Sequence, residues 1–486
     1  MGAIAGFIGK GALPKLLKML RILKHRGPDS TGIYYNGKTI KEIKPLNAQV
    51  EDLLGFSANY KFKGRIVDVA IGHNLLITDD EISQPIGDES VIVCDGRLYN
   101  MGGSESGCEI ILDFLEDHGI KALQIIMDKF DGDYSFAFFD GENIILARDP
   151  IGVKPLHYKV GEDFMAFASE RKALWGLGIK DTESLPPGSA LINNKIIKLK
   201  KLPEENKKDW DYDLAKEKLA KALKEAVKER VRGLKRVGVL FSGGVDSTLV
   251  TFIARKYTKP TLYTVGVEGS QDLIFAEKAA NELEMNTRTI KVTEEMIRDA
   301  LRPVITAIEE FNIMKIGVAM PLYFASKAAN TDGLQVILAG QGADELFGGY
   351  HRHLQIYKEG GNKLVEAFKA DIQNMYHVNL ERDDAIAMAA STELRVPFLD
   401  REIINIAFNI PIEYKIKGSD DTLRKHILRD LALDMGVPDF IAKRPKKAAQ
   451  YGSGIDKILR KRILPGFDYE SFMENLKMEF YKGYRG

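Results

Sequence analysis

Gly238-Val239-Leu240-Phe241-Ser242-Gly243-Gly244-Val245-Asp246-Ser247 is the stretch on which the fold turns. The apolar run 237–241 reads as a buried parallel strand. Two glycines then reverse the backbone, and from Ser247 the pattern becomes helical through Phe252 and Ile253. A strand, a glycine turn and a helix start place unpaired N–H groups and the positive end of a helix dipole around one point, which makes an anion site. Ser242 and Ser247 add hydroxyl donors, and glycine lets the backbone approach a phosphate closely. The G-x-x-x-x-G-K-[ST] pattern is absent, so this is not the common mononucleotide loop.

The frame around the loop is a soluble, balanced chain. Its 486 residues suggest two or three domains, and 45% hydrophobic with 28% charged residues allow ample core. Lys+Arg and Asp+Glu stand at 69 each, so no global field argues for a nucleic acid or membrane partner. Two cysteines, Cys94 and Cys108, are too few for a disulfide framework or a structural zinc site, and a reducing cytoplasm is the expectation. No run approaches the roughly 18 apolar residues of a membrane span, and the N-terminal stretch lacks a signal-peptide layout.

Residues 1–200 read as mostly β. Apolar or alternating runs at 3–8, 66–76, 90–93, 135–139, 144–147 and 164–168 are separated by turns such as Asn36-Gly37 and Asp140-Gly141. Helical patterns at 13–23, 109–116 and 120–127 interrupt them, which predicts an α+β layered domain. The charged, proline-bearing stretch 201–213 reads as a linker. In 214–486 strands alternate with helices: a helix at 214–231, strands at 261–267, 287–292 and 335–339, and a helix at 273–283. That alternation predicts an α/β doubly wound parallel sheet, followed after Tyr350 by a largely helical tail.

Motifs in both halves then converge. HRGPDS (25–30), QPIG (84–87), DGRLYN (95–100), FDGDYSFAFFD (130–140), ARDPIGVKPLHY (147–158) and FASERKAL (167–174) lie in the first. FSGGVDS (241–247), GQGADELFGGY (340–350), ELRVPFLD (393–400) and LRKHILRD (423–430) follow in the second. Over its whole length the chain resembles the glutamine-dependent asparagine synthetases. The resemblance implies an N-terminal nucleophile glutaminase-like domain of stacked antiparallel sheets. It also implies a C-terminal domain built on a pyrophosphate loop, which splits ATP into AMP and pyrophosphate.

The resemblance places Leu240, Ser242, Gly243, Gly244, Asp246, Ser247, Val265, Gly266 and Gly340 around ATP. Asp246 and Asp344 become magnesium carboxylates, a donor set suited to magnesium when phosphate oxygens complete it. Lys446 matches a lysine that neutralises the activated acyl-phosphate, with a solvated surface lysine as the alternative. Glu309 matches a substrate-region carboxylate, with a solvated helix glutamate as the alternative. Gln341 stands where the family carries a glutamate. Glutamine cannot take a proton at neutral pH, so proton removal would fall to Glu309, Glu310, Glu345 or solvent.

The first half departs further. Gly2 replaces the nucleophilic cysteine, Leu75 an arginine that holds the glutamine carboxylate, and Gly107 an acid that holds its amine. Asp95-Gly96-Arg97 replaces Asn-Gly-Glu, and an anionic Asp95 would oppose a developing oxyanion. The expectation is an ATP- and Mg2+-dependent amide-forming ligase that works without glutamine. It joins a carboxylate, aspartate first, to ammonia or an amine. A β-lactam-synthetase-like ligase with another substrate, and an ATP-binding scaffold, stand beside it. A homodimer stays open.

Overall fold

A computed structural model describes residues 1–43, 60–78, 81–101, 106–203, 210–445 and 452–483. The first half is built on two antiparallel sheets. The seven-stranded sheet runs Glu183–Ser184, His157–Val160, Met165–Ala168, Gly2–Ile8, Val69–Leu75, Ser30–Tyr35, Lys38–Ile40 in spatial order. The five-stranded one runs Lys195–Lys198, Ser189–Ile192, Ile144–Arg148, Gly132–Phe139, Val91–Leu98.

Period-two alternation explains how they stack. In Gly2–Ile8, Ile4 and Ile8 join Val69 and Ile71 against Val91, Val93, Ala137 and Leu146 of the other sheet. Ala3, Ala5 and Phe7 face the opposite way, onto Leu13, Leu16 and Leu20 of the helix Ala12–Ile22. The outer face of the second sheet, with Ile92, Phe136 and Phe138, is covered by Ile111, Leu115, Ile126 and Met127 of the helices Gly107–His118 and Ala122–Lys129. The result is helix, sheet, sheet, helix, the stacked arrangement expected from the sequence. Cys94 and Cys108 are both free and buried.

The second half holds a five-stranded parallel sheet in the order Thr287–Val292, Lys259–Val267, Arg236–Leu240, Val336–Leu338, Glu393–Arg395. Sequence order reverses between Arg236–Leu240 and Val336–Leu338, so the carboxyl ends of these two neighbours open onto a switch point where doubly wound sheets bind ligands. Helices Val245–Ala254, Gln271–Glu282, Glu294–Ile308 and Ile313–Thr331 supply the crossovers and cover. Among the described residues no helix is long and apolar enough to cross a membrane.

Three sequence expectations need amending. The run 66–76 is two strands, Arg65–Val67 and Val69–Leu75, which pair with different partners. The tail beyond Tyr350 is largely helical as expected, but it also supplies Glu393–Arg395, the edge strand of the parallel sheet. Its charged ends hid it, because Glu393 and Arg395 satisfy each other at 2.8 Å while buried. The helix predicted at 214–231 starts earlier, at Tyr212, with the Asp211 carboxylate accepting from Leu214 N–H at 2.8 Å.

The two halves share one buried apolar cluster. It runs from the Ala12–Ile22 helix through Arg171–Trp175 to the C-terminal helix, where Trp175 and Phe480 meet at 6.3 Å.

Candidate active site

The loop after Arg236–Leu240 is shaped by its glycines. Gly243 sits at φ +69°, the left-handed region, with Phe275 within 2.9 Å of where a Cβ would be. Gly244 then starts the helix Val245–Ala254, whose N-terminus no described side chain caps, so its first-turn N–H groups are left for a ligand. Ser242 Oγ accepts from Gly244 N–H at 3.3 Å and lies 3.4 Å from Ser247 Oγ. Leu240 ends the strand, and Val265 and Gly266 lie at the end of the neighbouring strand. A Cβ on Gly266 would come within 2.7 Å of Ser270 Oγ.

Across the switch point, the turn after Val336–Leu338 carries Gly340, Gln341 and Asp344. A Cβ on Gly340 would lie 2.8 Å from the Asp246 Cβ, so glycine is what lets the turn close on the loop. Asp246 and Asp344 are thereby brought to one place, around a shared cation. Between them stands Lys425, only 1% exposed, with Nζ 2.7 Å from Asp246 and 2.6 Å from Asp344. A Cβ on Gly349 would fall on the Asp344 carboxylate and 2.4 Å from Lys425, so this glycine closes the other wall.

The residues fit a divalent cation. Asp246 Oδ1 is buried and accepts no hydrogen bond from the described residues, and two carboxylates converge where phosphate would complete the shell. Among the described residues no group of three or more His, Cys, Asp or Glu side chains gathers for a metal, so phosphate oxygens or water would fill the rest of a magnesium shell here.

Arg444 pins a third segment to the loop. It donates to the Ser242 carbonyl at 2.8 Å and to Asp272 at 2.5 Å, with its guanidinium 3.9 Å above the Phe275 ring. Lys446, two residues on, lies outside the described residues.

Gln341 donates from Nε2 to Asp383 at 2.5 Å. Glu345 accepts from Tyr350 at 2.5 Å and Asn379 at 3.0 Å, and burial together with the neighbouring Asp344 raises its carboxyl to about 7. Glu309 is neither solvated nor joined to the loop. It occupies a left-handed position (φ +61°), and its carboxylate accepts from Arg171 N–H at 2.9 Å and Lys172 N–H at 2.7 Å, capping a helix of the first half. Lys425, Asp383 and Arg444 were assigned no role from sequence. A lone lysine in LRKHILRD and an acid in ERDD look like solvated charge, and no local signal separates them from it.

In the first half, Gly2 and Asp95 sit among buried charges. Gly2 donates to Asp95 at 3.0 Å and its carbonyl accepts from Arg26 at 2.9 Å. Asp95 is fully buried; burial alone would raise its carboxyl, but Lys154 and Arg26 hold it below the usual range. Gly2 lies at φ +148°, and a Cβ there would stand 1.8 Å from the Asn74 carbonyl oxygen. Leu75 pairs with Gly2 across the strands, and Arg97 bonds Glu81 at 2.6 Å. A Cβ on Gly107 would meet Leu98 at 3.0 Å.

Arg26 then crosses to the second half, meeting Asp384 at 2.6 Å, which also faces Lys154 at 3.3 Å. Glu381 meets Arg148 at 3.0 Å and Arg171 at 3.1 Å.

Comparison with known proteins agrees with both halves. The family model described as asparagine synthase matches residues 218–364 and 357–469, and that described as a glutamine amidotransferase domain matches 73–176. A putative glutamine-hydrolysing asparagine synthetase of Methanocaldococcus jannaschii is 40% identical, covering 92% of each chain. Asparagine synthetase B, glutamine-hydrolysing, of Escherichia coli is 29% identical, over 91% of this chain and 79% of that one. A solved B. subtilis glutamine phosphoribosylpyrophosphate amidotransferase, complexed with ADP and GMP, is 18% identical over 55% of this chain and 66% of that one, with a TM-score of 0.34. The chain belongs to the asparagine synthetase family.

Proposed function

We propose that the protein adenylates a carboxylate, aspartate first, and joins it to free ammonia or an amine without hydrolysing glutamine. The observation that carries the first step is the meeting of Asp246 and Asp344 across Lys425, at the mouth of an uncapped helix. A carboxylate oxygen attacks the α-phosphorus of ATP and pyrophosphate leaves. The N–H groups at the start of Val245–Ala254 and the hydroxyls of Ser242 and Ser247 face its developing charge. Lys425 adds a buried positive charge, and Asp246 and Asp344 would hold magnesium, which when bound neutralises phosphate charge. The acyl-adenylate is then captured by nitrogen, and AMP departs.

Independence from glutamine rests on residue 2. A thiolate nucleophile there needs a Cβ, and the Asn74 carbonyl occupies that space. Asp95, paired with Arg26, offers an anion where a donor is required. Gln341 supports a second reading within the same chemistry, a ligase whose acyl acceptor is another amine. Pyrophosphate release from ATP is the test, with a panel of carboxylates and with ammonium salt or glutamine. Release with aspartate and ammonium, and no glutamate from glutamine, is expected. Absence of release with every carboxylate refutes the ligase, and steady glutamate formation refutes the nitrogen source.

A further inference from the structure

We propose that Asp383 is a positioning residue that fixes which end of the Gln341 amide faces the attacking nitrogen. This rests on the ligase reading above. A primary amide has a donor end and an acceptor end, and only its neighbours decide between them. Asp383 is 1% exposed, and Arg382 Nε–H donates to its Oδ1 at 2.7 Å. Its Oδ2 is left to accept, and takes Gln341 Nε2 at 2.5 Å. The Gln341 Oε1 accepts from no group among the described residues. It belongs to the turn between Gly340, packed on Asp246, and Asp344.

That oxygen is an acceptor of unusual use. Ammonia or an amine attacks through its lone pair, so an N–H must point toward an acceptor while the lone pair points at the acyl carbon. An amide oxygen and a carboxylate oxygen can each accept that N–H, provided the acceptor end is the one turned to the nitrogen. The C–N bond forms with the nitrogen pair, the bond from acyl carbon to AMP oxygen breaks with its pair on AMP, and the extra nitrogen proton passes to water.

The helix that carries Asp383, Glu381–Met388, is held from the first half. Adjacent residues face opposite partners: Asp383 meets Gln341, while Asp384 meets Arg26 at 2.6 Å, and Arg26 holds Asp95 at 2.8 Å. Glu381 adds Arg148 and Arg171. The buried charge cluster around Gly2 thereby becomes the anchor of the residue that orients Gln341.

The charge swap between 341 and 383 tests this in the full-length protein. In Asp383→Asn, Arg382 keeps the oxygen of the new amide, so its NH2 turns to Gln341 and forces that amide to flip. The KM for ammonia should rise about tenfold or more, while aspartate-dependent ATP–pyrophosphate exchange stays within about twofold. Gln341→Glu alone sets two carboxylates in hydrogen-bond contact and should also be impaired. The double variant Gln341→Glu/Asp383→Asn should recover ammonia KM to within about threefold of wild type. In it the carboxylate placed at 341 accepts both from the amide placed at 383 and from the nitrogen. An unchanged ammonia KM in Asp383→Asn, or a double variant no better than its singles, overturns the proposal.

If wild type shows no exchange, the ligase reading falls by itself, and NMR of protein labelled with 15N-glutamine still decides the orientation. The side-chain amide signal missing from Gln341→Glu should show one proton moved downfield by its carboxylate partner, and lose that shift in Asp383→Asn. A signal unmoved by Asp383→Asn overturns the assignment.

Discussion

Replacing Lys425 with methionine keeps the volume of the side chain and removes its charge. The ammonium lies 2.7 Å from Asp246 and 2.6 Å from Asp344, so the two carboxylate oxygens stand no more than about 5 Å apart. Without the cation they repel by roughly 3 kcal/mol at an effective dielectric of about 20. Three results should follow. Lys425→Met should lose thermal stability, because the two carboxylates are left facing each other without a cation. Magnesium ion alone, without nucleotide, should raise its Tm, because the metal replaces the missing charge. Wild type, where Lys425 competes for the same oxygens, should respond far less. The assay is a thermal melt with and without magnesium chloride. A variant whose Tm and response to magnesium match wild type would refute the shared carboxylate site.

Asp246→Ala and Asp344→Ala should each abolish magnesium-dependent pyrophosphate release, a loss on the order of a thousandfold read by coupled phosphate assay. Purified protein given glutamine, alone or with ATP and aspartate, should form no glutamate. Gly2→Cys should not restore it and should lower the Tm, since the Cβ would collide with the Asn74 carbonyl. The contribution of two raised acids to stability should fall as pH rises from about 5 to 8. The Glu345 carboxyl is raised to about 7 by burial and Asp344, and that of Asp131 to about 7 by burial and Asp400. A raised acid binds its proton more tightly folded than unfolded, so its contribution is full below the unfolded value and is lost through 7. Denaturant melts of Glu345→Gln should show that decline reduced by roughly 3 kcal/mol; an unchanged slope would contradict the assignment.

The fold was legible where neighbours in sequence are neighbours in space. Alternation fixed the faces of Gly2–Ile8, and the strand–glycine–helix pattern located the anion loop. The facing of Asp246 and Asp344 was legible only through the resemblance, because the switch point joins loops almost a hundred residues apart. What stayed hidden is charge buried by tertiary packing. Nothing local in the sequence marks Lys425, Asp383, Glu309 or the Glu393–Arg395 strand as buried, since a charged residue is seldom buried unless paired. Their partners lie in distant segments, and no periodicity encodes them.

The same electrostatics explain why a first half with a reshaped pocket keeps its place. Glu309, Glu381 and Asp384 belong to the second half, are 8% exposed or less, and pair with residues of the first: Lys172, Arg148, Arg171, Arg26 and Lys154. Stripping partners from one buried ion typically costs about 3–5 kcal/mol. Three such groups would exceed much of the roughly 5–15 kcal/mol by which a folded protein is stable. The second half therefore depends on the first for charge balance. Substitutions at Gly2, Leu75 and Gly107 leave that balance untouched, because none of these positions bears a charge that crosses between the halves. Residue 2 can be glycine while Arg26, Arg148 and Lys154 stay under the constraint of their partners. The Asp95–Arg26 pair beside Gly2 fixes Arg26 where Asp384 needs it.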